Sequence, residues 1–90
     1  MSQIKKMAMA GTVESNDILI TVAPAAAGTG IEIELASPVL KQYGRQIKAV
    51  IEDVLATHQV TDAVINASDK GALDCTIRAR LITALARAGE

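Results

Sequence analysis

The chain has 90 residues, half of them apolar, with nine Lys and Arg against ten Asp and Glu and a formal net charge of −1. That length makes one domain with a modest core, and the missing basic excess argues against a nucleic-acid binder. Phe and Trp are absent and Tyr43 is the sole aromatic, so the core is aliphatic and offers no platform for stacking bases.

The first strand is predicted over residues 7–14 and the second over residues 17–23. Ile18, Ile20 and Val22 alternate with Asp17, Leu19 and Thr21, the period of a strand with one buried face. A hairpin loop of Ser15 and Asn16 sets Glu14 opposite Asp17, Val13 opposite Ile18, Gly11 opposite Ile20 and Met9 opposite Val22, which gathers the apolar side chains on one side. Asn16 suits such a loop because Asn tolerates positive φ, and Gly11 falls where a larger side chain would crowd the core. Residues 24–30, Pro-Ala-Ala-Ala-Gly-Thr-Gly, read as a surface connection.

Ile31-Glu32-Ile33-Glu34-Leu35 alternates as a third strand with Ile31, Ile33 and Leu35 inward. Ser37-Pro38 marks a helix start, a serine N-cap followed by proline at the first helical position. The helix is expected to reach about His58, with Leu40, Tyr43, Ile47, Val50, Ile51, Val54 and Leu55 as its apolar stripe. Gly44 weakens its middle by roughly 1 kcal/mol relative to alanine. Residues 60–67 form a fourth strand, parallel to the third through a right-handed crossover. Ser68-Asp69-Lys70-Gly71 reads as a turn, and residues 72–88 as a helix that buries Leu73, Ile77, Leu81, Ala84 and Leu85. The order β-β-β-α-β-α predicts an α+β two-layer sandwich, a mixed four-stranded sheet with two helices on one face.

Few residues can carry chemistry. His58 has no nucleophile as an evident partner. Gly28-Thr29-Gly30 lacks the further glycines and the following helix of a phosphate loop. Glu32 and Glu34 share an outward strand face and read as solvation. Cys75, the lone cysteine, excludes an internal disulfide and argues against a thiolate metal site; it is expected to be buried or half-buried and inert. No apolar run approaches the roughly 18 residues of a membrane span, and no continuous apolar stretch follows Lys5 and Lys6 to make a signal peptide. A cytoplasmic domain of residues 1–90, without its own catalysis, is the expectation. Ser15 differs by position, since a hydroxyl at a hairpin tip can be reached by another enzyme. Glu14 and Asp17 beside it are expected to repel across the strands. The residues alone favour an ordinary turn serine.

Ala10-Gly11-Thr12-Val13-Glu14-Ser15-Asn16-Asp17 resembles the N-terminal motif of the citrate lyase acyl carrier protein family, the γ subunit of that enzyme. Asp69-Lys70-Gly71-Ala72-Leu73-Asp74-Cys75, followed by Ile77-Arg78-Ala79-Arg80, resembles the C-terminal signature of the same family. Gln42-Tyr43-Gly44 and residues 47–55 match between them in spacing and character. The resemblance implies that Ser15 carries 2'-(5''-phosphoribosyl)-3'-dephospho-CoA through a phosphodiester. It further implies that the thiol of that arm holds acetyl, which the α subunit exchanges for citrate and the β subunit releases again on cleavage to oxaloacetate. The implied partners are those α and β subunits and the transferase that attaches the group, in a citrate-fermenting host. Two other readings stand beside it: a carrier of a related complex such as malonate decarboxylase, and a non-carrier assembly module whose hairpin docks to partners. For Arg78, Arg80 and Arg87 the expectations are a solvated helix face, or pairing of Arg78 or Arg80 with a carboxylate, such as Asp69 or Asp74.

Overall fold

The computed structural model describes residues 4–89. Its elements are β1 (Ala8–Gly11), β2 (Ile18–Pro24), β3 (Ile31–Ala36), α1 (Leu40–Thr57), β4 (Ala63–Asp69) and α2 (Asp74–Ala88). The sheet order is β1-β2-β4-β3, antiparallel except for the β3–β4 pair, which is parallel with α1 between its strands in sequence. This is the α+β arrangement that the periodicities predict.

Strict alternation in β2 and β4 creates the interior. Ile18, Ile20 and Val22 of β2 and Ala63, Ile65 and Ala67 of β4 are buried on one face. Against them pack Ile47, Ile51 and Leu55 of α1 and Ile77, Leu81 and Leu85 of α2. Helix α2 crosses β1 and β2, α1 lies along β3, and the helices pack on each other. The opposite face, with Leu19, Thr21, Glu34, Asn66 and Ser68, stays open.

The first hairpin departs from its expected register by one residue. Ala8 faces Val22, Met9 faces Thr21, Ala10 faces Ile20 and Gly11 faces Leu19. A one-residue slip sends side chains to the other face. Ala10 is therefore buried, while Met9 and Val13 are 51% and 57% exposed. The cause is α2, which lies against β1 and leaves room for alanine rather than methionine on the inner face. Gly11 is needed for a different reason from the one expected. It adopts φ +100°, and a Cβ there would lie 1.8 Å from the Ile18 carbonyl oxygen.

Both helices also begin later than expected. Ser37 does not cap α1; its hydroxyl accepts from the Val39 amide at 3.2 Å and donates to Asp69 Oδ2 at 2.8 Å. Residues 38–39 form a turn ahead of α1. Asp69 is not a turn residue but the buried end of β4. Its Oδ1 accepts from the Ala72 amide at 2.9 Å, so one carboxylate ties together the approaches to both helices. Leu40, Tyr43 and Leu73 are exposed rather than part of the buried stripes, Ile31 is 37% exposed on the edge strand β3, and Cys75 is exposed too.

Candidate functional site

Between β1 and β2 the chain makes a six-residue loop, residues 12–17, in place of the expected two-residue turn. The Thr12 hydroxyl donates to Asp17 Oδ2 at 2.7 Å and accepts from the Glu14 amide at 3.2 Å. The Asp17 amide donates back to the Glu14 carbonyl at 3.2 Å. Asn16 supplies the reversal at φ +66°, a conformation Asn tolerates better than most residues. Ser15 is exposed in this loop and enters none of these bonds.

The loop is fastened to the body from two sides. Along the backbone, the Asn16 amide donates to the Lys70 carbonyl at 2.8 Å and the Lys70 amide to the Asp17 carbonyl at 2.9 Å, which extends the β2–β4 pairing beyond the strands. Across the sheet edge, Arg80 of α2 donates from Nε to Asp17 Oδ1 and from Nη2 to Oδ2, both at 3.0 Å. The Ile18 amide donates a second bond to Oδ1 at 2.7 Å. Asp17 thus accepts from Arg80, Thr12 and Ile18. The Arg80 guanidinium above all, then the Thr12 hydroxyl and the Ile18 amide, hold its carboxyl well below the usual carboxylate range. The carboxylate in turn raises the Arg80 pKa.

The expected repulsion between Glu14 and Asp17 therefore gives way to a bidentate ion pair, the strong geometry for this kind of contact. Arg78 and Arg80 each pair with a carboxylate as expected, though with neither Asp69 nor Asp74. Arg78 reaches Asp53 of α1 at 2.7 Å, and the Arg87 Nη1 donates to the Met9 carbonyl at 2.8 Å. Asp74 accepts from Gln46 instead. Beside the loop opens a cleft of about 440 Å³ lined by Val39, Tyr43, Gln46, Ile47, Gly71 and Leu73. Gly71 sits against Asn16, whose Oδ1 would lie 3.7 Å from a Cβ at that glycine.

The other candidate residues lie apart from this loop. His58 ends α1 at its C-cap, and Glu32 and Glu34 are exposed on β3. The Gly28-Thr29-Gly30 segment is engaged by Asp62, whose Oδ1 accepts from the Gly30 amide at 2.8 Å. Amides of Gly30 and Gly28 lower the Asp62 pKa. Among the described residues no three His, Cys, Asp or Glu side chains gather as metal ligands, and no helix is long and apolar enough to cross a membrane.

The sequence profile of the acyl carrier family described as malonate decarboxylase delta subunit (MdcD) matches residues 5–88. The chain belongs to this family. Among similar acyl carriers, the citrate lyase acyl carrier protein of Oenococcus oeni is 54% identical over 86 residues, spanning 96% of this chain and 87% of that protein. That of Latilactobacillus sakei is 52% identical over 85 residues, spanning 94% and 82%. The fold is shared with a chain in the crystal structure of a Pseudomonas malonate decarboxylase hetero-tetramer in complex with malonate, at a TM-score of 0.80 and 21% identity, over 98% of this chain and 90% of that one. Thr12 of the acyl carrier's loop was given no role in the sequence reading, and Arg80 of α2 was not placed against this loop. Arg80 stands in the C-terminal motif and Asp17 in the N-terminal one, so the pairing of the two motifs was the available signal.

Proposed function

We propose that this acyl carrier is the non-catalytic carrier subunit of citrate lyase, one carrier domain over residues 1–90. Ser15 is the residue that takes 2'-(5''-phosphoribosyl)-3'-dephospho-CoA in phosphodiester linkage. The observation that carries the reading is an exposed hydroxyl on a loop whose Thr12 and Asp17 side chains bond to each other and whose Asp17 is held by Arg80 of the body. The loop fits such a group: Ser15 is open to solvent and its neighbours Thr12 and Asp17 are already paired, so they do not compete for the incoming phosphorus.

Attachment needs a donor whose phosphorus bears a phosphoanhydride leaving group. The bond from Ser15 Oγ to phosphorus forms as the anhydride bond breaks, the leaving phosphate takes the electron pair, and the hydroxyl proton passes to the transferase or to solvent. When bound, the group supplies a thiol that carries acetyl and citryl units as thioesters between the α and β subunits, during citrate cleavage to oxaloacetate and acetate. The protein's own part is to hold the attachment point on a fixed loop, with a body small enough to visit two active sites in the cytoplasm. Tethering raises the local concentration of the thioester at each.

The family description and the shared fold also favour a second reading, the carrier of a malonate decarboxylase. Identities near one half to citrate lyase carriers weigh toward the first. Protein isolated from its native host should carry the added mass on the Ser15 peptide and co-purify with citrate lyase subunits. Ser15→Ala should fold as wild type and stay unmodified. The same added mass on both proteins would refute the assignment of Ser15, and co-purification with decarboxylase subunits would select the second reading.

A further inference from the structure

The charge pair at the foot of the Ser15 loop joins residues 63 positions apart in sequence. Two parallel N–H donors from one planar guanidinium fix both the distance and the angle of a carboxylate, which a single point charge does not do. Asp17 ends the loop that Thr12 begins, and the Thr12 hydroxyl bonds to the same carboxylate. Arg80 therefore sets both ends of the segment that presents Ser15 through one contact. The Asp17 side chain is only 13% exposed, whereas that of Arg80 is 42% exposed. This contact is consequently less screened by water than the Arg78–Asp53 pair, whose side chains are 44% and 59% exposed. The buried stripe of α2 runs through Ile77, Leu81, Ala84 and Leu85; Arg80 is not among these residues, and its guanidinium reaches the loop.

We propose that Arg80 is a positioning residue for modification, holding the Ser15 loop through Asp17 in the shape that the attaching transferase requires. The inference rests on the reading of Ser15 as the attachment point. A displaced hydroxyl lowers the rate of an in-line transfer steeply, since misplacement by about an ångström can cost roughly a hundredfold.

The test compares wild type, Arg80→Met, Arg80→Lys and Asp17→Asn as full chains, with the purified transferase and the phosphoanhydride-activated arm, following added mass against time. Amide hydrogen exchange over residues 12–17 is measured on the same unmodified proteins. Far-UV circular dichroism checks that each variant is folded, and Asp17→Asn opens the same contact from the other side should Arg80→Met fail to fold. Arg80→Met and Asp17→Asn are expected to lose roughly ten- to hundredfold in kcat with KM changed little, and to exchange loop amides faster. Arg80→Lys should recover part of the rate. Modification of folded Arg80→Met at the wild-type rate overturns the proposal. So does a loss of rate without faster loop exchange, or a rise in KM alone, because either makes Arg80 a contact for the transferase and not a support for the loop. A wild type that accepts no group overturns the carrier reading beneath it, a failure visible before any variant is compared.

Discussion

Asp17 concentrates the chemistry of the loop in one carboxylate, and its charge state has a definite sign in stability. Because the folded carboxyl titrates well below its unfolded value, near 3.9, the charged form is favoured by folding. That contribution is complete above about pH 4 and is lost as the pH falls from there toward the folded value. Wild type should therefore exceed Asp17→Asn in urea midpoint by a constant margin from pH 5 to 8. The margin should shrink progressively below pH 4. A margin that stays constant into acid would mean that the carboxylate charge does not matter to the loop. At this scale the exposed place of Ser15 in a loop was legible, because polar residues between two alternating runs must form a connection at the surface. Arg80 was not. Helical phase says which way α2 turns a side chain but not which loop lies opposite, and that depends on packing across the whole domain.

Elements are governed by what covers them, and the first hairpin illustrates the limit of alternation. Two registers each give β1 an inner face; the larger side chains favoured one, and the position of α2 selected the other, with Ala8 and Ala10 inside. Three-state periodicity carries no information about how closely a helix approaches a strand. Asp69 was misread for a different reason, since a polar run after Ala67 resembles a turn. Yet Ala63, Ile65, Ala67 and Asp69 continue one alternation to its end, and an inward aspartate at the end of a strand is a candidate for capping neighbouring backbone. Asp69 accepts from Ser37 and Ala72 while 1% exposed. Removing it leaves two partly buried donors without their partner, which costs about 1.5–3 kcal/mol for bonds to a charged group. Asp69→Ala should lose that much stability in urea unfolding at pH 7, and Asp69→Asn less, because the amide oxygen can still accept from Ala72. Equal and negligible losses for both would show that the two helix approaches do not depend on this carboxylate.

At the scale of the whole molecule, an aliphatic interior without a single aromatic side chain makes stability depend on where each branched residue sits in the sheet. Strand β4 is paired on both edges, and its Ile65 is 0% exposed within the core. Strand β3 is an outer strand, and its Ile31 is 37% exposed. The two isoleucines are chemically identical, and both belong to alternating runs that predict an inward face, so the sequence does not rank them; strand order does. Truncating a fully buried isoleucine removes transfer energy and leaves a cavity in a close-packed interior, about 2–5 kcal/mol together. That is a large share of the roughly 5–15 kcal/mol by which a domain is stable. Ile65→Ala should lower the unfolding free energy by that amount, and Ile31→Ala by less than about 1 kcal/mol, on the scale of surface substitutions. Urea denaturation with the far-UV signal measures both, since Tyr43 is exposed and reports little of the core. The Ser15 loop is fixed by Thr12, Asp17, Lys70 and Arg80 and not by Ile65. Ile65→Ala should therefore accept the prosthetic group at the wild-type rate under conditions where it remains folded. A matching fall in both stability and modification would instead tie the loop's shape to the packing of the sheet beneath it.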